Sequence, residues 1–173
     1  MKPHEKHRAL GLKKVRAVVV TISTSKFDAK TAGRKFTDES GDTAKRELAR
    51  AGISVSRREL VSDEAPMIRE EMRKFLAGRE DVLVYVGGTG ISPRDITVET
   101  VLPFLEKELQ GFGEMLRSAS FRKVGAAAVL TRATAGVVKG RLVLCLPGSP
   151  DASGTALRLF GKELPHALFV ARS

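Results

Sequence analysis

The sequence has little of what marks secreted, membrane-spanning or metal-stapled proteins. Its single cysteine, Cys145, forms neither an internal disulfide nor a zinc site built from several cysteines. The longest apolar runs have the length of strands, which excludes a membrane-spanning helix. The first residues do not follow the basic-then-apolar pattern of a secretory signal. We therefore expect a cytoplasmic protein that does not bind membranes.

Disordered, low-complexity and fibrous classes are excluded by composition. Hydrophobic residues make up 42% of the chain and charged residues 29%, which is typical of a globular protein. A domain of about this length buries roughly 70% of the surface of its unfolded chain, so it needs no disulfide or metal for stability. The 173 residues suit one domain of ordinary size.

The formal net charge of +10 predicts an anionic partner, either a nucleic acid or a phosphorylated small molecule. Half of the excess lies in residues 1–16, where six lysines and arginines stand against Glu5. We interpret residues 1–14 as a basic, flexible tail and residues 15–173 as a single domain. Nucleic-acid binding through the tail is the less favoured interpretation.

Hydrophobic patterning alternates between strands and helices along the domain. Strands are predicted over 15–22, 53–61, 82–86, 126–130 and 141–146. Helices are predicted over 41–51, 66–76, 96–109, 112–121 and 152–170, with breaks at Pro103, Gly161 and Pro165. Such alternation predicts an α/β domain with a mostly parallel sheet.

Glycines and hydroxyl side chains follow the predicted strands. They form the segments 23–25, 62–64, 87–90 and 147–150. In open α/β sheets, ligands bind beyond the carboxyl ends of the strands. Glycine lets backbone N–H groups approach an anion closely, and hydroxyls add donors, so these loops predict a phosphate site. For the glycine quartet alone, a tight strand-to-helix turn is an open alternative.

Two aspartates, Asp63 and Asp95, stand on neighbouring loops of this set. Two carboxylates beside a phosphate suit Mg²⁺, which prefers a few carboxylate oxygens together with substrate phosphates. Taken singly, each aspartate is better explained as a helix cap, and a salt bridge to Arg94 is a further alternative for Asp95.

Several segments, in chain order, resemble the molybdenum-cofactor biosynthesis MoaB/Mog family. They are DESGD at 38–42, GGTGISPRDIT at 87–97, GFGE at 111–114 with Arg117, TRA at 131–133 and PGSP at 147–150. The resemblance covers residues 15 to about 155. Thr24 stands where many relatives carry Asp, which indicates the MoaB branch.

The resemblance implies a three-layer α/β/α domain that binds molybdopterin and forms a homotrimer or homohexamer. It also implies a Mg²⁺-dependent adenylyltransferase that transfers AMP from ATP to the terminal phosphate of molybdopterin and releases pyrophosphate. The alternative within the family is a non-catalytic molybdopterin-binding oligomer.

The resemblance also assigns roles by position. The catalytic and metal-binding residues are Asp63 and Asp95; the nucleotide phosphates are bound by Gly87, Gly88, Thr89 and Gly90, with Gly148 and Ser149 as the opposing wall; the substrate is bound by Arg117 and Ser118. For Ser40, at the start of a predicted helix, capping is the favoured interpretation.

Overall fold

A mixed sheet of six strands forms the centre of the computed structural model, which describes residues 14–173. The strands are β1 (Val15–Ile22), β2 (Ile53–Val61), β3 (Val82–Val86), β4 (Lys107–Glu108), β5 (Thr134–Val138) and β6 (Arg141–Leu146). Their order is β2-β1-β3-β6-β5-β4. Strands β2, β1, β3 and β6 run parallel, and β5 is antiparallel to both β6 and β4. Four strands therefore end at the same edge of the sheet.

The described residues form seven α-helices, of which six cover the two faces of the sheet. The seven are α1 (Thr24–Thr31), α2 (Glu39–Arg50), α3 (Ala65–Ala77), α4 (Thr97–Val101), α5 (Gln110–Val124), α6 (Pro150–Phe160) and α7 (Leu164–Arg172). Side chains of α2, α5, α6 and α7 pack on one face. Side chains of α3 and α4 pack on the other. The predicted three-layer α/β/α architecture is confirmed.

Strands β1, β3 and β6 are buried on both faces, which explains their continuous apolar runs, whereas the edge strand β2 is only partly buried. In β1, Val15, Ala17 and Val19 belong to one hydrophobic cluster, and Val18 and Val20 belong to the other. All five side chains are buried. The predicted bounds of β1, β2, β3 and β6 are confirmed.

The strand predicted over 126–130 is wrong. This segment lies in a 3₁₀ helix, Gly125–Leu130, and the strand that pairs with β6 is β5. The apolar run at 126–130 lies largely at the surface, where Val129 is 76% exposed and Leu130 is 55% exposed. A run that does not enter the core gains little from pairing in the middle of a sheet, which is why its apolar character misleads.

The helix predicted over 96–109 is shorter than expected. It ends at Val101, continues as a 3₁₀ turn over Leu102–Phe104 and gives way to β4. Pro103 lacks the N–H that a longer helix would need, so the helix stops before it. The longest helix of residues 14–173, α5, has 15 residues. None of the described helices combines the length and apolar character needed to cross a bilayer.

The division of the chain into a tail and one domain stays a prediction. Nearly all of the predicted basic tail, residues 1–13, lies outside the described residues. Lys14 is exposed and leads directly into β1.

Candidate functional site

The edge at which the four parallel strands end also carries the N-termini of α1, α2 and α6. Each of these helices has a side-chain cap. The first-turn N–H groups donate to the hydroxyl of Ser23 at 3.5 Å, the carboxylate of Asp38 at 3.1 Å and the hydroxyl of Ser149 at 3.2 Å. Because a helix N-terminus carries partial positive charge, this edge favours anions.

The backbone conformation of Gly87 and Gly88, the first half of the glycine quartet, is set by steric limits and by hydrogen bonds from Thr97. Gly87 and Gly88 have φ values of +114° and +62°, and a Cβ on Gly87 would overlap the carbonyl oxygen of Ile22. The hydroxyl of Thr97 donates to the Gly87 carbonyl at 2.9 Å, and its N–H donates to the Gly88 carbonyl at 2.9 Å. These two glycines are therefore required for the turn itself, whatever else they bind.

Beyond this turn, the loop borders a pocket of about 370 Å³, which we call the glycine pocket. Its lining joins four segments that are far apart in sequence: 88–90, Asp95, 130–132 and 147–149, together with Ala152. Six of the eight residues predicted for catalysis or phosphate binding thus meet in one place: Gly88, Thr89, Gly90, Asp95, Gly148 and Ser149. Gly87 lies buried beneath them and does not line the pocket.

Asp95 faces the glycine pocket and does not cap a helix. Its Oδ2 accepts a hydrogen bond from the backbone N–H of Ser92 at 2.9 Å. A Cβ on Gly90 would be 2.7 Å from the same oxygen, so the carboxylate lies directly against the glycine loop. The N-cap position of α4 belongs to Ile96, and the neighbouring Arg94 is exposed. The capping interpretation that its position alone favours is wrong.

Asp63 lies one layer deeper and ties β2 to α1. Its Oδ2 accepts from the backbone N–H of Thr24 at 2.8 Å and from the Thr24 hydroxyl at 2.9 Å. The N-cap of α3 is Glu64, which makes no side-chain cap, so capping of α3 by Asp63 is also wrong. Asp63 does not line the glycine pocket. Its Oδ1 is 3.0 Å from where a Cβ on Gly88 would stand.

The two carboxylates fit an ion that arrives with a phosphorylated ligand better than one held by protein alone. The hydrogen bonds from residues 14–173 to Asp63 and Asp95 all use Oδ2, which leaves Oδ1 of each side chain to other ligands. In that same part of the chain, no three His, Cys, Asp or Glu side chains are grouped so that they could hold a metal. Mg²⁺ commonly uses one or two carboxylates and completes its shell with water and phosphate.

Arg132 also lines the glycine pocket, although no role is predicted for it from the sequence. Its Nη1 donates to the Gly90 carbonyl at 2.9 Å, and its Nη2 forms an ion pair with Glu99 of α4. Burial alone would raise the pKa of Glu99, but hydrogen bonds from its own backbone N–H and from Arg132, with the Arg132 charge, bring the pKa below its ordinary value. The signal available in the sequence was the TRA segment at 131–133.

A second pocket, of about 210 Å³, adjoins the glycine pocket across Gly148. Its lining comes from α1, from the start of α2 and from the start of α6: Lys26, Thr37, Glu39, Ser40, Gly148 and Pro150. We call it the Lys26 pocket. Its basic side chain and two helix N-termini again favour an anionic ligand.

Asp38, just beneath the Lys26 pocket, organises the start of α2. Its carboxylate accepts from the Thr21 hydroxyl at 2.7 Å and pairs with Arg58 at 2.9 Å and Lys26 at 3.4 Å. Burial alone would raise the pKa of Asp38, but these hydrogen bonds and the charges of Lys26 and Arg58 bring it below the ordinary value. Asp38 is the cap, whereas Ser40, predicted for that role, donates to Asp38 at 3.4 Å.

Arg117 and Ser118 lie on α5, and neither lines the glycine pocket or the Lys26 pocket. The Arg117 guanidinium folds back along its own helix, with Nη1 2.9 Å from where a Cβ on Gly113 would stand. Ser118 is exposed. Their substrate-binding role stays a prediction.

The fold and the site define an α/β/α domain whose glycine-rich loops form a pocket at the carboxyl edge of the sheet. The chain belongs to the family described as a probable molybdopterin binding domain, whose model matches residues 18–166. The resemblance to MoaB/Mog proteins is confirmed.

Curated relatives and solved structures agree with this family. The chain is 35% identical over 158 residues to a probable molybdopterin adenylyltransferase of Methanocaldococcus jannaschii, covering 91% of this chain and 94% of that protein. It is 38% identical over 159 residues to molybdenum cofactor biosynthesis protein B of Staphylococcus aureus, covering 89% and 90%. The structure of the tungsten cofactor synthesizing protein MoaB from Pyrococcus furiosus matches with a TM-score of 0.83 and 36% identity, covering 94% of this chain and 99% of that one.

Proposed function

We propose that this protein binds molybdopterin and ATP and transfers AMP to the terminal phosphate of molybdopterin. The observation that carries the proposal is the glycine pocket, where Gly88–Gly90, Asp95 and the N-terminus of α6 converge. This is the chemistry of a phosphate site in a family whose relatives are named for molybdopterin adenylyltransferase and for cofactor biosynthesis.

The proposed reaction needs no nucleophile from the protein. An oxygen of the molybdopterin phosphate attacks the α-phosphorus of ATP and forms a new P–O bond. The bond from the α-phosphorus to the bridging oxygen breaks, and pyrophosphate leaves with the electron pair. Because the attacking phosphate is already anionic at neutral pH, the protein contributes mainly positioning and charge neutralisation.

Different residues of the chain position the phosphates and neutralise their charge. The backbone of Gly88–Gly90 and the buried Thr89 bind the nucleotide phosphates, with Gly148 and Ser149 as the opposing wall. Asp63 and Asp95 would hold a Mg²⁺ through Oδ1. When bound, the ion supplies positive charge to the phosphates.

Two adjoining pockets suit a reaction with two phosphorylated substrates. The glycine pocket and the Lys26 pocket meet at Gly148, so phosphates bound in each lie close to one another. We propose that AMP is transferred from ATP to the molybdopterin phosphate at this junction. Arg117 and Ser118 stay candidates for binding the pterin, and a homotrimer or homohexamer is the proposed assembly.

The test is release of pyrophosphate from ATP in the presence of molybdopterin and Mg²⁺. We expect turnover by the natural protein and a loss of at least ~100-fold in Asp95→Asn, because a neutral amide cannot hold the ion or orient the phosphates. Asp28→Asn is the matched control, since Asp28 is exposed on α1 and lines neither pocket.

The remaining outcomes decide between the alternatives. Tight molybdopterin binding without pyrophosphate release under any Mg²⁺ concentration would identify a non-catalytic binding protein. Unchanged turnover in Asp95→Asn would remove Asp95 from the mechanism.

A further inference from the structure

Arg132 is the only basic side chain that lines the glycine pocket among residues 14–173. The pocket contains one acidic side chain, Asp95, and is otherwise made of glycine, hydroxyl and apolar residues. A polyphosphate carries several negative charges, which backbone N–H groups alone neutralise poorly. The placement of the Arg132 guanidinium therefore affects how well the pocket can bind a polyphosphate.

The guanidinium is held in a fixed orientation by two partners. Gly90, on one side of the pocket, accepts from Nη1 at 2.9 Å, and Glu99 of α4 pairs with Nη2. Arginine has five N–H donors in a planar fork, so two bonds leave three for a ligand. Arg132 lines the glycine pocket, and its side chain has a relative accessibility of 33%.

Glu99 holds the fork but does not fill the pocket. Its side chain is 54% exposed, and it is absent from the pocket lining. The pair is therefore a solvent-accessible support of modest strength rather than a buried ion pair. Glu99 and the Gly90 carbonyl each accept from one nitrogen of the guanidinium, so its remaining N–H groups can donate to a ligand in the pocket.

We propose that Arg132 binds the β- and γ-phosphates of the nucleotide and stabilises the pyrophosphate that leaves, with Glu99 as its positioning residue. This inference rests on the proposed adenylyl transfer. Bidentate recognition of phosphate is the task for which arginine is better suited than lysine. Arg132 donates to the carbonyl of Gly90, and the Asp95 carboxylate lies against the Cα side of the same residue, so the cation and the carboxylate border one pocket beside the same glycine.

The competing explanation is that Arg132 only connects the glycine loop to α4 and does not bind a ligand. Such a structural role would affect thermal stability and the order of the loop. It would change the affinity for pyrophosphate only through the order of the loop, and it would leave the dependence of that affinity on salt unchanged. The two explanations therefore differ in a measurement that does not require turnover.

The experiment titrates inorganic pyrophosphate into the full chain by calorimetry, at several salt concentrations, next to the turnover assay. For Arg132→Gln we expect a loss of pyrophosphate affinity of ~10–100-fold and a shallower salt dependence, from the loss of charge-assisted hydrogen bonds. Arg132→Lys should retain part of the affinity, because it keeps the charge and loses the fork. Glu99→Gln should show a smaller loss, of a few-fold.

Arg122→Gln is the control, because it removes the same charge from an exposed position of α5 outside the pocket. Unchanged pyrophosphate affinity in Arg132→Gln, with or without a lower melting temperature, overturns the proposal and leaves the adenylyl transfer standing. Arginine-dependent pyrophosphate binding in a protein that shows no turnover supports the role of Arg132 and overturns the proposed function. Should Arg132→Gln fail to fold, an affinity of Arg132→Lys equal to that of the natural protein overturns the proposal.

Discussion

The candidate site has an inner layer and an outer layer that do different things with the same kinds of residue. The inner layer comprises Thr24, Asp63, Gly87 and Thr97, which do not line the glycine pocket and whose polar groups bond mainly to one another. The outer layer comprises Gly90, Asp95, Arg132, Gly148 and Ser149, which line the glycine pocket. Both layers contain a glycine and an aspartate, and two residues of the loop separate Gly87 from Gly90.

The comparison shows that residue type alone does not separate the residues that stabilise the fold at this edge from those that line the pocket. Gly87 is required by its own backbone, since a side chain there would overlap Ile22. Gly90 has no such backbone requirement, and a side chain there would meet Asp95 at 2.7 Å. We therefore expect changes in the inner layer to lower the free energy of unfolding, and changes in the outer layer to lower activity at little cost in stability. Changes at Asp63 should lower both, because it is also proposed to hold Mg²⁺.

The largest expected loss of stability is for Gly87→Ala. The residue has φ of +114°, a conformation that alanine rarely adopts, and its Cβ would overlap a backbone carbonyl that cannot move without moving β1. We expect the free energy of unfolding, measured in urea, to fall by about 3 kcal/mol or more.

Gly148→Ala is the matched control from the outer layer. Its φ is not in the left-handed region, and its Cβ would meet only Gly87 Cα, at 3.3 Å. A loss below about 1 kcal/mol is expected there. Equal losses in the two variants would show that the layers do not differ in this way.

Asp63→Ala should have an intermediate effect on stability. It removes two hydrogen bonds to Thr24 and so weakens the link between α1 and β2, which keeps the bond from the Ser23 N–H to the Val61 carbonyl. The expected loss is about 1–2 kcal/mol in the free energy of unfolding. Thr24→Val keeps the bond from the Thr24 backbone N–H to Asp63 but removes the contacts of the Thr24 hydroxyl with Asp63 and Ser62. Because the two side chains share a bond, the double variant should lose less than the two single losses together. Strictly additive losses would show that the two side chains do not support each other.

The central parallel strands can be predicted from the sequence because burial on both faces produces continuous apolar runs. The apolar runs of β1, β3 and β6 lie between two hydrophobic clusters, so their bounds can be found from the residues alone. Helix α1 was missed because none of its residues is buried, and an exposed helix has no apolar face to reveal it. The run at 126–130 misled for the opposite reason, since it is apolar and yet at the surface.

In the site, the loops were predicted and the partners of the charged groups were not. The order of strands and loops is enough to bring Gly88–Gly90 and Gly148 to one edge. The partner of Asp63 is Thr24, 39 residues earlier in the chain, which no local pattern indicates. Arg132 follows the segment 126–130, whose apolar run predicts a strand but which forms a 3₁₀ helix. Its contact with Gly90, 42 residues earlier, depends on that local fold and cannot be predicted from the pattern.

The smallest expected change in stability is for Asp95→Ala, which sharpens the comparison most. Its carboxylate accepts one hydrogen bond, from the N–H of exposed Ser92, and water can replace that bond. The free energy of unfolding should therefore change by less than about 0.5 kcal/mol, while pyrophosphate release from ATP and molybdopterin falls as in Asp95→Asn. Urea unfolding and turnover measured on the same preparation separate the two effects. A loss of stability as large as that of Asp63→Ala would mean that the outer layer also supports the fold, and that its carboxylate is there for the loop rather than for a phosphate-bound ion.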